Sequence, residues 1–429
     1  MRIDYDIPLA RNIRRLGHID IPGGGQVVVD GDHAFVGHMK PPHGTSIIDI
    51  SDPRSPRISA KIDLPDDSSH THKVRVVRGD LMLTNVEQNN RHFLRKGNRL
   101  PELREQLSAT LGRPPHDDEL AAELAVAPAD IVRLDAARER GYRHGGFTIY
   151  DISDRTRPRE IASQRTGGVG VHRFDADERY AYISTEMDGY IGNILVIYDI
   201  ADPANPTEVS RWHMLGQHVA GGEEPLPLGD AARLHHAMRV GDEIWAAVWQ
   251  AGVRVIEVSD VANPRTIAAY NYHPPVPEPT HTVMPLEQAI GGRRYAVTID
   301  EEHDHVPGRL HGFMTVLDVT DLGDIRPVSA FTVSELDSPW SRMPGVRFGA
   351  HQYREKLDST LVYATWFAGG LRIVDVADPH LPVEIAHYIP EPVGGEPAPS
   401  SNDVDLDRRG LIYVIDRVRG LDVLEHTGG

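Results

Sequence analysis

Short apolar or alternating runs, roughly four to eight residues each, recur along nearly the whole chain and are separated by polar turns. The clearest is "LRIVDVADPHLPVEIAHY" from Leu371: a β-branched run, an Asp- and Pro-bearing turn, then a second run of alternating character. Close copies begin at Thr45, Phe147, Leu195, Val253 and Met314. β-Branched residues suit pleated strands, and Asp and Pro set tight turns, so each copy predicts a hairpin. Upstream of each hairpin lies another pair of β-like runs, such as "HKVRVVRGDLMLTNVE" from His72 and "HRFDADERYAYISTE" from His172. Four strands per unit, repeating every 45–50 residues or so once insertions are removed, is the pattern of propeller blades.

Six units are complete, and "SNDVDLDRRGLIYVIDRVRGLDVLEH" from Ser401 supplies three strands of a seventh. The missing strand is "NIRRLGHIDI" from Asn12, which has the character of a unit's last strand. The expectation is an all-β chain folded over 1–429 as a single seven-bladed β-propeller, closed by its N-terminal strand so that no sheet edge is left bare. One segment breaks the rhythm. Residues 98–143 have helical periodicity, with Asp117 or Asp118 placed to cap "ELAAELA" and Pro128 near the start of a further helix. It is expected as a helical insertion, a lid, within the second blade.

The strand "LRIVDVADPHLP" and its copies resemble the LVIVD-repeat family, over nearly the whole chain. That resemblance implies a β-propeller and leaves function open, because propellers serve catalysis, binding and scaffolding alike. The "LGRPP…DELAAEL" stretch resembles, over about 25 residues, a helical segment of bacterial primary sigma factors. It lacks the basic face a DNA reader needs.

Charge and composition narrow the classes. A formal net charge of −18 opposes binding to nucleic acid or an anionic membrane. The chain has no cysteine, so thiol nucleophiles and Cys-ligated metals are excluded, and any ion must be held by His, Asp or Glu. No apolar signal core or membrane span is visible, which is read as a soluble, cytoplasmic protein with a small-molecule substrate. Oligomeric state is not indicated.

Histidine carries the only chemistry the chain advertises. The first position of each innermost strand reads Gln26, His72, His172, His236, His281, His351 and Asn402. The histidine recurs in "SSHTHKV", "VGVHRFD", "RLHHAMR", "EPTHTVM" and "FGAHQYR" although its neighbours change, which inheritance of a repeat does not explain. Such positions ring the central channel, and neutral imidazole is the commonest metal ligand. His72, His172, His236, His281 and His351 are therefore the expected ligands of a divalent transition metal, Fe before Mn, Cu or Zn. Glu87, Glu186, Asp300 and Glu301, at second-strand ends on the same face, are expected behind them, accepting the other imidazole N–H. His72, Glu186 and Arg239 are the candidates for proton handling.

The arrangement is similar in architecture to the carotenoid cleavage oxygenases, in which four histidines hold a non-haem iron on a propeller axis. That likeness implies an oxygenase or oxidase acting on a small organic substrate. A second reading is a Mn- or Zn-assisted lyase or hydrolase, similar to the oligogalacturonate lyases; an acidic substrate would want several arginines on the histidine face, for which Arg173, Arg239, Arg347 and Arg417 are available. A third is a propeller used as an interaction platform, its histidines structural.

Overall fold

The computed structural model describes residues 9–303 and 306–428. Residues 1–8, and two positions of the His-rich stretch 303–311, lie outside the described residues. Among the described residues the strands form antiparallel four-stranded meanders: four stand as separate sheets, two are joined with Ser69–His70 in a nine-stranded sheet, and one carries the extra strand Ala10–Arg11. Their first strands are Gly24–Asp30, Val74–Val77, Gly167–Ala176, His236–Val240, Thr280–Pro285, Ala350–Tyr353 and Ser401–Leu406. Each of these packs on the next, and the last returns to Gly24–Asp30. The second and third meanders are joined at one pair, Gly170 with Glu87.

The repeated wording has a local cause. In the hairpin from Leu371, the Asp375 carboxylate accepts the Ala377 N–H at 2.9 Å and the Asp378 carboxylate accepts the His380 N–H at 3.0 Å. The same double cap recurs at Asp49 with Asp52, Asp151 with Asp154, Asp199 with Asp202, and Asp318 with Asp321. Glu257 stands in for the first Asp beside Asp260. An Asp side chain that bonds a backbone N–H two residues on fixes the turn, so the pair is respelled wherever the turn is rebuilt.

Apolar side chains from these strands pack between neighbouring meanders. Val36 and Ile48 of the first meet Ile415 and Leu421 of the seventh; Val196 of the third meets Leu83 of the second; Ile373 of the sixth meets Val414 of the seventh. The architecture is a mostly-β propeller in which the hydrophobic effect acts between sheets and leaves the axis to polar groups. Ile13–Pro22 pairs with Arg419–His426, so a strand from one end of the chain completes the meander built at the other. Deleting residues 1–22 therefore exposes Arg419–His426 as an edge. The expected result is a lower melting temperature with concentration-dependent association, read by circular dichroism and gel filtration; an unchanged, monodisperse melt would refute the closure.

The insertion between strands Leu81–Gln88 and Gly146–Asp151 is three helices: α1 (Arg91–Leu111), α2 (Asp117–Leu124) and α3 (Asp130–Arg140). It opens at Arg91 rather than at residue 98, because α1 continues back through "RHFLRKG". Leu100, Leu103, Leu120, Leu124, Ile131 and Leu134 give it a core of its own. The cap of α2 is His116, not Asp117 or Asp118: Glu119 reaches back to the His116 N–H at 2.7 Å, which places both aspartates inside the first turn. No helix among the described residues is long and apolar enough to cross a membrane.

Candidate metal centre

Where the first strands begin, the ladder slips by one residue. Register shifts fall between Gly24 and Gln26, Val171 and Arg173, Thr280 and Thr282, Ala350 and Gln352, and Ser401 and Asp403. The skipped residues are Gly25, His172, His281, His351 and Asn402. A bulge re-aims a side chain, and here it turns two successive residues toward the axis. His72 and His235 stand one residue ahead of the equivalent points in the second and fourth meanders. The channel thus carries an upper ring of Gly25, His72, His172, His235, His281, His351 and Asn402. Beneath it lie Gln26, Lys73, Arg173, His236, Thr282, Gln352 and Asp403.

Ring centroids follow one another at 5.0 Å from His72 to His172, 4.8 Å to His235, 4.2 Å to His281 and 4.5 Å to His351. His70 adds a sixth ring, 4.8 Å from His72. His236 is corrected: it belongs to the lower ring, with Nδ1 3.4 Å from Thr282 Oγ1 and Nε2 3.6 Å from Glu355. His235 takes its expected place.

Each ring is held through Nδ1, and His281 also accepts Arg173 Nη2 on its Nε2 at 3.3 Å. His172 Nδ1 lies 3.0 Å from Glu87, His235 Nδ1 bonds the His281 carbonyl at 2.8 Å, and His351 Nδ1 bonds the Asn402 carbonyl. His281 Nδ1 lies 3.0 Å from Thr282 Oγ1, whose own proton goes to Gln352. Carbonyl and carboxylate oxygens only accept, so these four histidines carry their proton on Nδ1 and a lone pair on Nε2. His72 is the opposite tautomer. Asn85 Oδ1 accepts the Lys73 N–H at 2.8 Å, which orients the amide so that its Nδ2 donates to His72 Nδ1 at 3.2 Å. The His72 proton is therefore on Nε2, a buried atom without a partner among the described residues.

Two carboxylates flank the row. Burial opposes ionisation of Glu87, but Arg91 and His172 outweigh it and hold the carboxyl well below its usual range; it also takes His70 Nε2 at 2.9 Å. Glu301 sits 3.9 Å from Nε2 of both His281 and His351 and pairs with Arg347 at 3.0 Å. Buried groups that could hold a metal ion are His235 with His281 and Glu301, and His70 with His72 and Glu87.

Other expected residues fall elsewhere. Glu186 accepts Arg95 Nε at 2.6 Å and so anchors α1 to the rim. Asp300 takes the Tyr272 hydroxyl at 2.6 Å and faces away from the imidazoles. Arg239 pairs with Asp177 at 3.0 Å toward the opposite mouth of the channel, because three residues of strand carry it about 10 Å from His236. His38, a further histidine at a second-strand end although not among those expected, is bonded to Pro22 O and Ser46 Oγ, outside the ring. His70 and Arg91 were not anticipated. The doublet in "HTH" signals the first; the second stands in the first turn of α1, ahead of residue 98 where helical periodicity is expected to begin.

Burial holds His38 and His172 at about 4, and His72, His235, His236, His281 and His351 well below the ordinary 6.5. Between pH 6.5 and 4 the unfolded chain binds more protons at these positions than the folded one, so stability falls as pH drops through that window. The urea midpoint is expected to be lower at pH 5 than at pH 7.5; equal midpoints would mean the imidazoles are not held neutral.

The LVIVD repeat matches residues 24–63, 141–166, 175–213 and 362–389. The chain carries LVIVD repeats. No curated protein matches it. Among solved structures it is similar to a protein from Lactobacillus plantarum, 12% identical over 92% of this chain and 88% of that one, TM-score 0.53. It is likewise similar to the periplasmic gluconolactonase PpgL of Pseudomonas aeruginosa, 9% identical over the same shares, TM-score 0.54. Identity this low speaks for a shared fold alone. The LVIVD matches contain none of His72, His172, His235, His281 and His351, so the repeat accounts for the scaffold and not for the imidazole row.

Proposed function

We propose that the chain is a metal-dependent enzyme acting on a small organic substrate, with the ion held by Nε2 of His172, His235, His281 and His351. The observation that carries this reading is a confrontation: His172 Nε2 and His235 Nε2 stand 2.9 Å apart, and each bears a lone pair because its Nδ1 proton is committed. Two lone pairs approach so closely around a shared cation, either a metal ion or a proton. A proton is disfavoured, since burial holds both rings neutral. Two nitrogens at about 2.1 Å from one ion, at right angles, lie about 3 Å apart.

An all-imidazole set suits Fe, Cu or Zn better than Mn or Mg, which supports an oxygenase or oxidase as the first reading. A bound ion would supply redox or Lewis-acid chemistry at the axis. Glu87 orients His172, and His72 presents Nε2–H to the cavity as a hydrogen-bond donor. That donor favours the second reading, a metal-assisted lyase or hydrolase in which a developing oxyanion needs a hydrogen bond. Elemental analysis of untagged protein tests the proposal: near-stoichiometric Fe or Cu supports the first reading, and Zn or Mn the second. Well-folded protein that carries none of these ions and takes none up removes both and leaves the interaction platform.

A further inference from the structure

The cavity over the imidazoles is lined by arginines from three separate stretches of chain, with a fourth beside them. Arg91 comes from the first turn of α1, Arg173 from the third meander, and Arg417 from the seventh; Arg347, from the loop before the sixth, pairs with Glu301 beside them. Two carboxylates face these four guanidinium groups. Glu87 lies 3.4 Å from Arg91, while Glu301 is shared by Arg347 at 3.0 Å and Arg417 at 3.6 Å. Arg173 is 3% exposed, and its Nε and Nη1 make no hydrogen bond among the described residues. Its nearest carboxylate, Glu355 at 3.8 Å, already serves Lys73 and Arg75.

A buried surplus of cations is costly unless an anion joins it, and a metal would enlarge the surplus. Phe367 holds the planes of two of the guanidiniums without neutralising them, 4.6 Å from Arg347 and 5.7 Å from Arg417. Burial, with Arg347 and Arg91 close by, brings Arg417 down to about 9.

We infer that the substrate bears an oxyanion, a carboxylate or a phosphate, which docks on Arg91, Arg173 and Arg417 above the histidine row. The inference rests on the same site as the proposed enzyme and adds its substrate class. Guanidinium forks match the two oxygens of such a group, and three of them fixed in advance discriminate it from a neutral analogue. Arg91 makes the helical insertion part of this site, since Arg91 and Arg95 tie the start of α1 to Glu87 and Glu186.

The test is calorimetric titration at low ionic strength of inorganic phosphate, gluconate and neutral sorbitol, into chelator-treated and metal-loaded protein. At least one anion is expected to bind and sorbitol to give no heat; the tighter of the two anions tells phosphate from carboxylate. Arg417→Gln and Arg91→Gln should each weaken that binding by about tenfold or more. If Arg417→Gln does not fold, Arg91→Gln on the helical insertion reads the same quantity. The inference is overturned if neither anion binds in either metal state, if sorbitol binds equally well, or if folded variants keep wild-type affinity. Anion binding by a protein that takes up no metal would sink the metal reading and leave this one standing. A protein that holds metal but ignores both anions would do the reverse.

Discussion

His235→Ala is expected to leave the purified protein nearly metal-free, while His236→Ala keeps its metal and loses stability. The two residues are neighbours, yet they belong to different rings. His235 Nε2 faces His172 Nε2 across 2.9 Å with its own Nδ1 locked on the His281 carbonyl, so its removal deletes a donor that nothing nearby replaces. Loss of a partner behind a ligand typically costs 10–100-fold in affinity, and loss of the ligand itself should exceed roughly a hundredfold. His236 is fully buried against Glu355 and Thr282, one layer down. Truncating it strands buried polar atoms at a cost of about 2–3 kcal/mol. Metal content by mass spectrometry and urea midpoints separate the two. Metal lost from His236→Ala but retained in His235→Ala would reverse the assignment of the rings.

Glu355→Ala should be the most destabilising single change near the axis, by roughly 3–5 kcal/mol, the range for uncoupling a buried ion pair. The Glu355 side chain is 4% exposed and holds Lys73 at 2.5 and 2.6 Å, Arg75 at 2.9 Å and Arg173 at 3.8 Å. Burial opposes its ionisation, but Lys73 and Arg75 prevail and keep it charged. Lys73 is already brought down to about 7 by burial, even with this carboxylate pulling the other way. Without Glu355 three cations share a buried layer, and Lys73 must give up its proton or water must reach it. Urea unfolding measures the loss, and adding Lys73→Met should recover part of it. A Glu355→Ala protein with a wild-type midpoint would show that the layer is not a coupled network.

The scaffold was legible because its turns are spelled in side chains. Each Asp pair that caps a hairpin recurs in the sequence, and the strand from Asn12 could be matched to the unit it completes by character alone. The row of histidines was legible for the same reason, as a residue conserved between units while its neighbours drift. Its register was not. A bulge leaves no mark in a pattern of period two, so in "LHHAM" both histidines fit the strand start and the pattern does not tell His235 from His236. In the first unit the same slip put Gln26 where Gly25 stands; a Cβ there would come within 2.5 Å of the His72 Cβ. Asp300 and Arg239 were misplaced for a related reason: end-of-strand position says which rim a residue is near, but not whether it turns to the axis or to its own sheet. The arginine convergence could not be read at all, because it joins a helix, a strand and two loops that are distant in the chain.

The pairing of Ile13–Pro22 with Arg419–His426 also sets an order of events. A ribosome releases the first of these strands long before it makes the second, so for most of synthesis the early strand has no partner and the growing stack of sheets is an open arc. Contacts separated by some four hundred residues are slow to find, and an arc has two bare edges while it waits. The imidazoles proposed for the ion stand on four consecutive meanders, the third to the sixth, and their spacing around the axis is fixed only when the arc shuts. Uptake of metal should therefore be among the last steps of maturation, and a nascent chain stalled before Arg419 should bind none.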